Sequence, residues 1–191
     1  MHQTLIILDF GSQYTQLIAR RVREKKVFCK ILPYNAKLEE ITEDQPLGII
    51  LSGSPANVYG PKAPIPDLRL FDLGIPVLGI CYGLQLIAHV FKGKVHRSNK
   101  REYGFAELSI ERQEDFFSEL PSKLTCWMSH SDEIRSLPKG FVKLAHTLNA
   151  SIASFANRAK KIYGVQFHPE VVHTQRGTQI LTNFMFQICD C

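Results

Sequence analysis

No leader is expected at the start of the sequence. It opens MHQTLIILDF, with no basic stretch and an apolar run far too short for a signal peptide or a membrane span. A soluble, cytoplasmic protein is expected, and with no secretory route the sequon Asn149-Ala150-Ser151 is a chance match. Cysteine is scarce and odd in number. Cys29, Cys81, Cys126, Cys189 and Cys191 fall at irregular spacings, which argues against a disulfide framework. Cys189-Asp190-Cys191 has no second Cys/His pair at ligand spacing, so it reads as chain-end residues and no metal is expected. There is no internal repeat, linker or low-complexity tract. A glycine-rich phosphate loop is also missing: residues 53–62 hold many turn formers but lack the Gly-Lys-Ser/Thr ending. Strong charge of one sign is absent too, with 23 basic residues, 18 acidic ones and a net charge of +5. The one basic cluster, Arg20, Arg21, Arg23, Lys25 and Lys26, reads as the solvated face of a helix, so neither nucleic acid nor a membrane surface is an expected partner.

What is present fits one globular domain over 1–191, with 45% apolar residues to fill its core. Apolar runs at 4–8, 27–32, 47–51 and 76–80 read as strands, and apolar spacing at 13–26 and 83–91 reads as helices between or after them. That order predicts an α/β fold: an open, mainly parallel sheet with helices on both faces. The second half carries strand-like runs at 104–110, 124–129, 141–145, 151–155 and 162–167 joined by short turns, then a helix over 177–188. These predict an antiparallel extension. The Pro-rich stretch 52–66 is the one long loop.

The segment Gly79-Ile80-Cys81-Tyr82-Gly83 ends an apolar strand and opens a helix. It is a cysteine version of the nucleophile elbow, in which a sharp turn lifts the reactive side chain out of the sheet. Flanking glycines avoid Cβ collisions there, the helix N-terminus favours a thiolate, and free amides at the turn can hold an oxyanion. Alone, the pattern also fits a core cysteine between two packing glycines. A second motif makes the combination more specific: residues 162–167 lead into His168-Pro169-Glu170. On extended backbone, residues two apart point the same way, so Glu170 can orient the imidazole of His168 as base for Cys81. Both motifs lie at strand ends, where open α/β sheets place their sites.

These residues resemble the class I, triad-type glutamine amidotransferases, along the whole chain. Within that family the likeness is to the amidotransferase domains of GMP synthases. Ile7-Leu8-Asp9-Phe10-Gly11-Ser12-Gln13-Tyr14, Ser52-Gly53-Ser54-Pro55, Arg101-Glu102-Tyr103-Gly104, Met128-Ser129-His130-Ser131-Asp132 and Val171-Val172-His173-Thr174 all carry it. Anthranilate-type and carbamoyl-phosphate-type relatives have Gly-Pro-Gly in the oxyanion loop, where this chain has the single Gly53.

The resemblance implies a fold and a set of roles. The fold is the flavodoxin-like one of that family. Cys81 attacks the carboxamide of glutamine, His168 moves the proton, and Glu170 orients His168. The amides of Gly53 and Tyr82 form the oxyanion hole. Gln85 and the stretch 129–132, with Ser129, Ser131 and Asp132, hold the amino-acid head, while His130 is structural. Taken without the resemblance, Gly53 could simply shape a turn, Gln85 could lie exposed on its helix, and Ser129, Ser131 and Asp132 could cap or turn the chain.

A GMP synthase also needs an ATP-using synthetase activity acting on xanthosine monophosphate. ATP and Mg are therefore expected on a synthetase partner, fused or separate, with no cofactor in this chain. A cut domain is the favoured reading over a free-standing subunit. The expectation is a weak glutaminase that the synthetase switches on, with 171–174 as relay. Alternatives at this point are a glutaminase subunit of another synthase such as a chorismate-using one, a γ-glutamyl hydrolase or cysteine peptidase, and a non-catalytic module on the same fold.

Overall fold

The computed structural model describes residues 4–191. Its centre is a nine-stranded sheet in the order β2-β1-β3-β4-β9-β8-β7-β5-β6. The strands β1 (Thr4–Asp9), β2 (Phe28–Pro33), β3 (Gly48–Leu51), β4 (Val77–Ile80) and β9 (Ile162–Val165) pair in parallel. On the other side of β9, β8 (Ser154–Asn157), β7 (Val142–His146), β5 (Lys94–Ile110) and β6 (Lys123–Ser136) continue antiparallel.

Alternation along the parallel strands splits the core in two. Leu5, Ile7, Ile50, Leu78 and Ile80 face one side, where they meet Ile18 and Val22 of α1 (Thr15–Glu24) and Ile180 and Leu181 of α4 (Gly177–Asn183). Ile6, Leu8, Ile49, Leu51 and Val77 face the other side. There they meet Ile41 of α2 (Leu38–Thr42) and Leu84, Ile87 and Ala88 of α3 (Tyr82–Val90). Burial on both faces is why these strands are unbroken apolar runs. The chain order reverses between β1 and β3, so the carboxyl ends of β1, β3, β4 and β9 form one crevice.

The expected parallel sheet, antiparallel extension and helical layers are all present. The boundaries differ in the second half. Strands read at 104–110 and 124–129 run on into a long hairpin, β5 with β6, whose pairing reaches Lys94 opposite Ser136 and shifts register between Arg97 and Glu102. Lys94–Arg97, Glu102 and Tyr103 are mostly polar, and backbone pairing with β6 is what makes them part of the strand. Residues 129–132, which could have capped or turned the chain, therefore lie inside β6. The helix read at 177–188 is α4 followed by a wider π-helical turn at Phe184–Ile188. The change begins at Asn183, whose amide donates to the carbonyls of Phe116 and Ser118.

The basic cluster on α1 is not simply a solvated face. Arg21 is only 17% exposed along its side chain and donates from Nε to the carbonyl of Glu170 (3.0 Å). Arg23 donates to the carbonyl of Cys29 (3.1 Å).

Candidate active site

Cys81 stands between β4 and α3 at φ +54°, ψ −104°, a conformation that costs an L-residue about 1–3 kcal/mol. Its surroundings over-determine it. The Cys81 amide donates to the carbonyl of Val165 (2.8 Å), tying the turn to β9. The flanking glycines let α3 cross the sheet at close range. A Cβ on Gly79 would lie 2.4 Å from the Gly83 carbonyl carbon, and one on Gly83 would lie 2.5 Å from the Leu51 carbonyl oxygen. No side chain fits either gap, so the elbow is a packing solution as well as a turn.

The strand end that follows Val165 brings His168 to Cys81. The His168 ring lies beside Cys81 and hydrogen-bonds, through Nδ1, Glu170 Oε1 at 2.7 Å. Burial works against a charged imidazole here, but the hydrogen bonds and charges of Cys81 and Glu170 outweigh it and hold the His168 pKa well above its usual value. Glu170 is fully buried, and its Oε2 has no hydrogen-bond partner among the described residues. The His168 backbone is clamped to β6: its amide donates to the Trp127 carbonyl (3.0 Å) and its carbonyl accepts from the Thr174 hydroxyl (2.6 Å). The ring of Tyr14 meets the imidazole edge-on at 5.0 Å.

Loops from the other strand ends complete a cavity of about 520 Å3. After β1, Asp9 Oδ1 accepts from the Gly11 amide and the Thr15 hydroxyl, shaping the turn that presents Ser12 and Tyr14. After β3, the Ser52 hydroxyl accepts from the Phe10 amide and donates to the Gly53 carbonyl, both at 3.0 Å. Gly53 lies beside both reactive side chains: a Cβ there would sit 3.5 Å from His168 Cε1 and 3.8 Å from Cys81 Cβ. Those are ordinary contacts, so Gly53 is not needed for steric fit alone. Tyr82 opens α3, whose first-turn amides have no intrahelical acceptor.

Gln85 is buried, not exposed on its helix. Its Nε2 donates to Gln166 Oε1 (3.1 Å) and more weakly to the Asp132 carbonyl (3.4 Å). Ser129, Ser131 and Asp132 line the cavity from β6, and the Ser129 carbonyl lies 3.7 Å from Cys81 Sγ. His130 bonds the Asp132 carbonyl (2.8 Å) and buried Glu102 (3.3 Å), which also accepts from Thr147. Gly53, Cys81, Gln85, Ser129, Ser131, Asp132 and His168 thus line one cavity, with Glu170 behind His168, while Tyr82 is packed in the core with its hydroxyl on the Pro64 carbonyl.

Sequence reasoning missed several neighbours. Gln166 donates to Cys81 Sγ at 3.6 Å. Its signal was available, since it precedes His168 by two on extended backbone and so shares its side. Tyr59 donates to Asp132 Oδ1 at 2.8 Å across 73 residues of sequence, and no local pattern announces that pair. Among the described residues no group of three or more His, Cys, Asp or Glu side chains is placed to hold a metal, and no helix is long and apolar enough to cross a membrane.

An open α/β sheet here sets a strained cysteine at one strand end and a buried His–Glu pair at the next, the layout of a candidate enzyme site. The chain belongs to the class-I glutamine amidotransferases, whose family model matches residues 6–188. It is 51% identical over 190 residues to a GMP synthase (glutamine-hydrolysing) of Acetivibrio thermocellus, covering 100% of this chain and 37% of that protein. It is 54% identical over 187 residues to a GMP synthase of Spiroplasma kunkelii, covering 98% of this chain and 36% of that one. The chain thus spans little more than a third of these relatives. The crystal structure of a Thermoplasma acidophilum protein, provisionally named as one of the subunits of a GMP synthase, superposes with a TM-score of 0.87 at 33% identity and covers 100% of this chain and 95% of that one.

Proposed function

We propose that this chain hydrolyses L-glutamine to glutamate and ammonia through a cysteinyl thioester, and that the ammonia serves a GMP synthase. In this reading the Cys81 sulfur attacks the carboxamide carbon and forms the C–S bond. The carbonyl oxygen gains negative charge beside the amides of Gly53 and Tyr82. His168 delivers its proton to the departing nitrogen, the C–N bond breaks, and ammonia leaves. Water then adds to the thioester with His168 as base, and glutamate departs as Cys81 regains its sulfur charge. Glu170 holds the imidazole in place and offsets its charge.

The amino-acid head of glutamine lies against Ser129, Ser131 and Asp132. Gln85 supports that wall indirectly, because its amide is already engaged by Gln166 and the Asp132 carbonyl. The observation that carries the reading is the 2.7 Å His168–Glu170 pair standing beside a cysteine in a strained elbow.

The curated relatives' names and length support the rest: the chain is the glutaminase portion, as a domain or a separate subunit. Its partner is an ATP- and Mg-using synthetase that aminates xanthosine monophosphate in the cytoplasm. The test is glutamate release from glutamine by the wild-type chain and by Cys81→Ser, with and without the synthetase. Release that requires Cys81 supports the reading. Release that survives Cys81→Ser, or activity on γ-glutamyl peptides in place of glutamine, contradicts it.

A further inference from the structure

One buried amide beside the nucleophile is not explained by packing. Gln166 is 1% exposed and stands between Val165 and Phe167, which are fully buried apolar residues. An apolar side chain would fill that place at lower cost, because a buried amide must find partners for its polar ends. Gln166 finds two. Its Oε1 accepts from Gln85 Nε2 (3.1 Å), and its Nε2 donates to Cys81 Sγ (3.6 Å). The backbone around it is pinned. The Gln166 amide donates to the Ala153 carbonyl, and the Val165 carbonyl accepts from the Cys81 amide, both at 2.8 Å. The side chain is therefore aimed at the sulfur from a fixed point.

The direction of these bonds is set from outside. A backbone carbonyl only accepts, and the Asp132 carbonyl accepts from His130 Nδ1 (2.8 Å) and from Gln85 Nε2 (3.4 Å). That contact fixes which end of the Gln85 amide is nitrogen. The same nitrogen reaches Gln166, which must offer it oxygen, so the nitrogen end of Gln166 is left facing Cys81. On another side of the sulfur lies the Ser129 carbonyl, at 3.7 Å. It accepts from a thiol and has nothing to offer a thiolate. The two contacts therefore pull in opposite directions: Ser129 favours the protonated sulfur and Gln166 the charged one.

We propose that Gln166 is a further catalytic residue of this site, whose buried amide holds the Cys81 sulfur in the charged form that attacks; this rests on the glutaminase reading above. Hydrogen bonds to a charged partner are about twice as strong as neutral ones, so the amide counts most while the sulfur is a thiolate. The sulfur is charged before attack and again as glutamate leaves, and Gln166 serves both moments. No proton passes through it: the Cys81 proton goes to His168. The titratable groups around Cys81 are His168 with Glu170 behind it, and, lining the same cavity, Asp132 and His130 on β6, Tyr103 on β5 and Tyr14 after β1. All of them remain when Gln166 is replaced.

The test is the pH dependence of Cys81 alkylation by iodoacetamide, a neutral reagent, in the wild-type chain and in Gln166→Met, read by peptide mapping. Methionine matches glutamine in length and leaves no N–H for the sulfur. The alkylation midpoint should rise by about one pH unit, or about tenfold less thiolate at pH values below it; that is the low end for a hydrogen bond to a charged group, as suits a long contact to sulfur. The plateau rate at high pH should match the wild type, because only the ionisation has changed. Where Gln166→Met does not fold, Gln166→Glu takes its place. It keeps an oxygen for Gln85 and turns a second one to the sulfur, so the midpoint should rise at least as far. An unmoved or lowered midpoint in the folded variant overturns the inference and leaves the glutaminase reading standing. Glutamate release that survives Cys81→Ser overturns that reading, and the inference with it.

Discussion

Burial disfavours a proton on His168, but Cys81 and Glu170 beside its ring raise its pKa well above the usual value. The sign of its pH effect follows. A histidine whose pKa is raised by folding contributes stability that is fully present below the unfolded value of about 6.5 and is lost as pH rises through the folded value. Glu170→Gln removes one of the raising groups, so the His168 titration should move to lower pH and the loss of stability should begin sooner. An NMR titration of the ring reads this directly; an unmoved midpoint would show that Glu170 does not hold the proton. Gly53 tests a different point. A methyl there meets only ordinary contacts with His168 and Cys81, so Gly53→Ala should melt like the wild type. The same methyl occupies the space between base and nucleophile, and kcat/KM for glutamine should fall on the order of a hundredfold if reacting atoms are displaced by about 1 Å. Full activity would place the oxyanion elsewhere.

At the scale of elements, the elbow depends on how closely α3 crosses β3 and β4. Gly83→Ala puts a methyl 2.5 Å from backbone oxygen of Leu51, which cannot move alone. The helix must lift off the sheet, at a cost of about 1–3 kcal/mol, readable as a lowered midpoint in a denaturant melt. An unchanged midpoint would mean the crossing is looser than the contacts require. The parallel strands were legible because both faces of 4–8 and 47–51 are apolar, and double burial leaves no other residues tolerable there. The candidate site residues Cys81 and His168 were legible for a related reason: each follows the end of such a strand, so the sheet locates it. The front half of β5 was not legible, since its ladder is built from backbone bonds that polar side chains do not reveal. Nor were Tyr59 with Asp132 or Glu102 with Thr147, pairs joined by the hairpin and distant in sequence. Arg21 was misread because a basic helix face ordinarily meets water, whereas here one member turns inward to the Glu170 carbonyl.

For the whole molecule, a glutaminase coupled to a synthetase has a kinetic signature. The chain alone should release glutamate slowly, and adding the synthetase with ATP and xanthosine monophosphate should raise the rate at least about tenfold, the scale of a modest coupling between sites. A high rate indifferent to those additions would reject the coupling and leave the glutaminase chemistry standing. That chemistry is best tested by asking the five thiols to compete. Burial raises the pKa of Cys29 and pushes Cys126 up to about 12, and it raises Cys189 as well. Cys191 is the rival, half-buried and with its pKa lowered by the hydrogen bond from Cys189. A general alkylating agent should therefore also modify Cys191, which makes recognition of glutamine the deciding feature. The measurement is intact-mass and peptide mapping after treatment with an electrophilic glutamine analogue. One adduct is expected, on Cys81, slowed by free glutamine and absent from Cys81→Ser; an adduct that persists in Cys81→Ser, or that falls equally on Cys191, would contradict the assignment of Cys81 as the nucleophile.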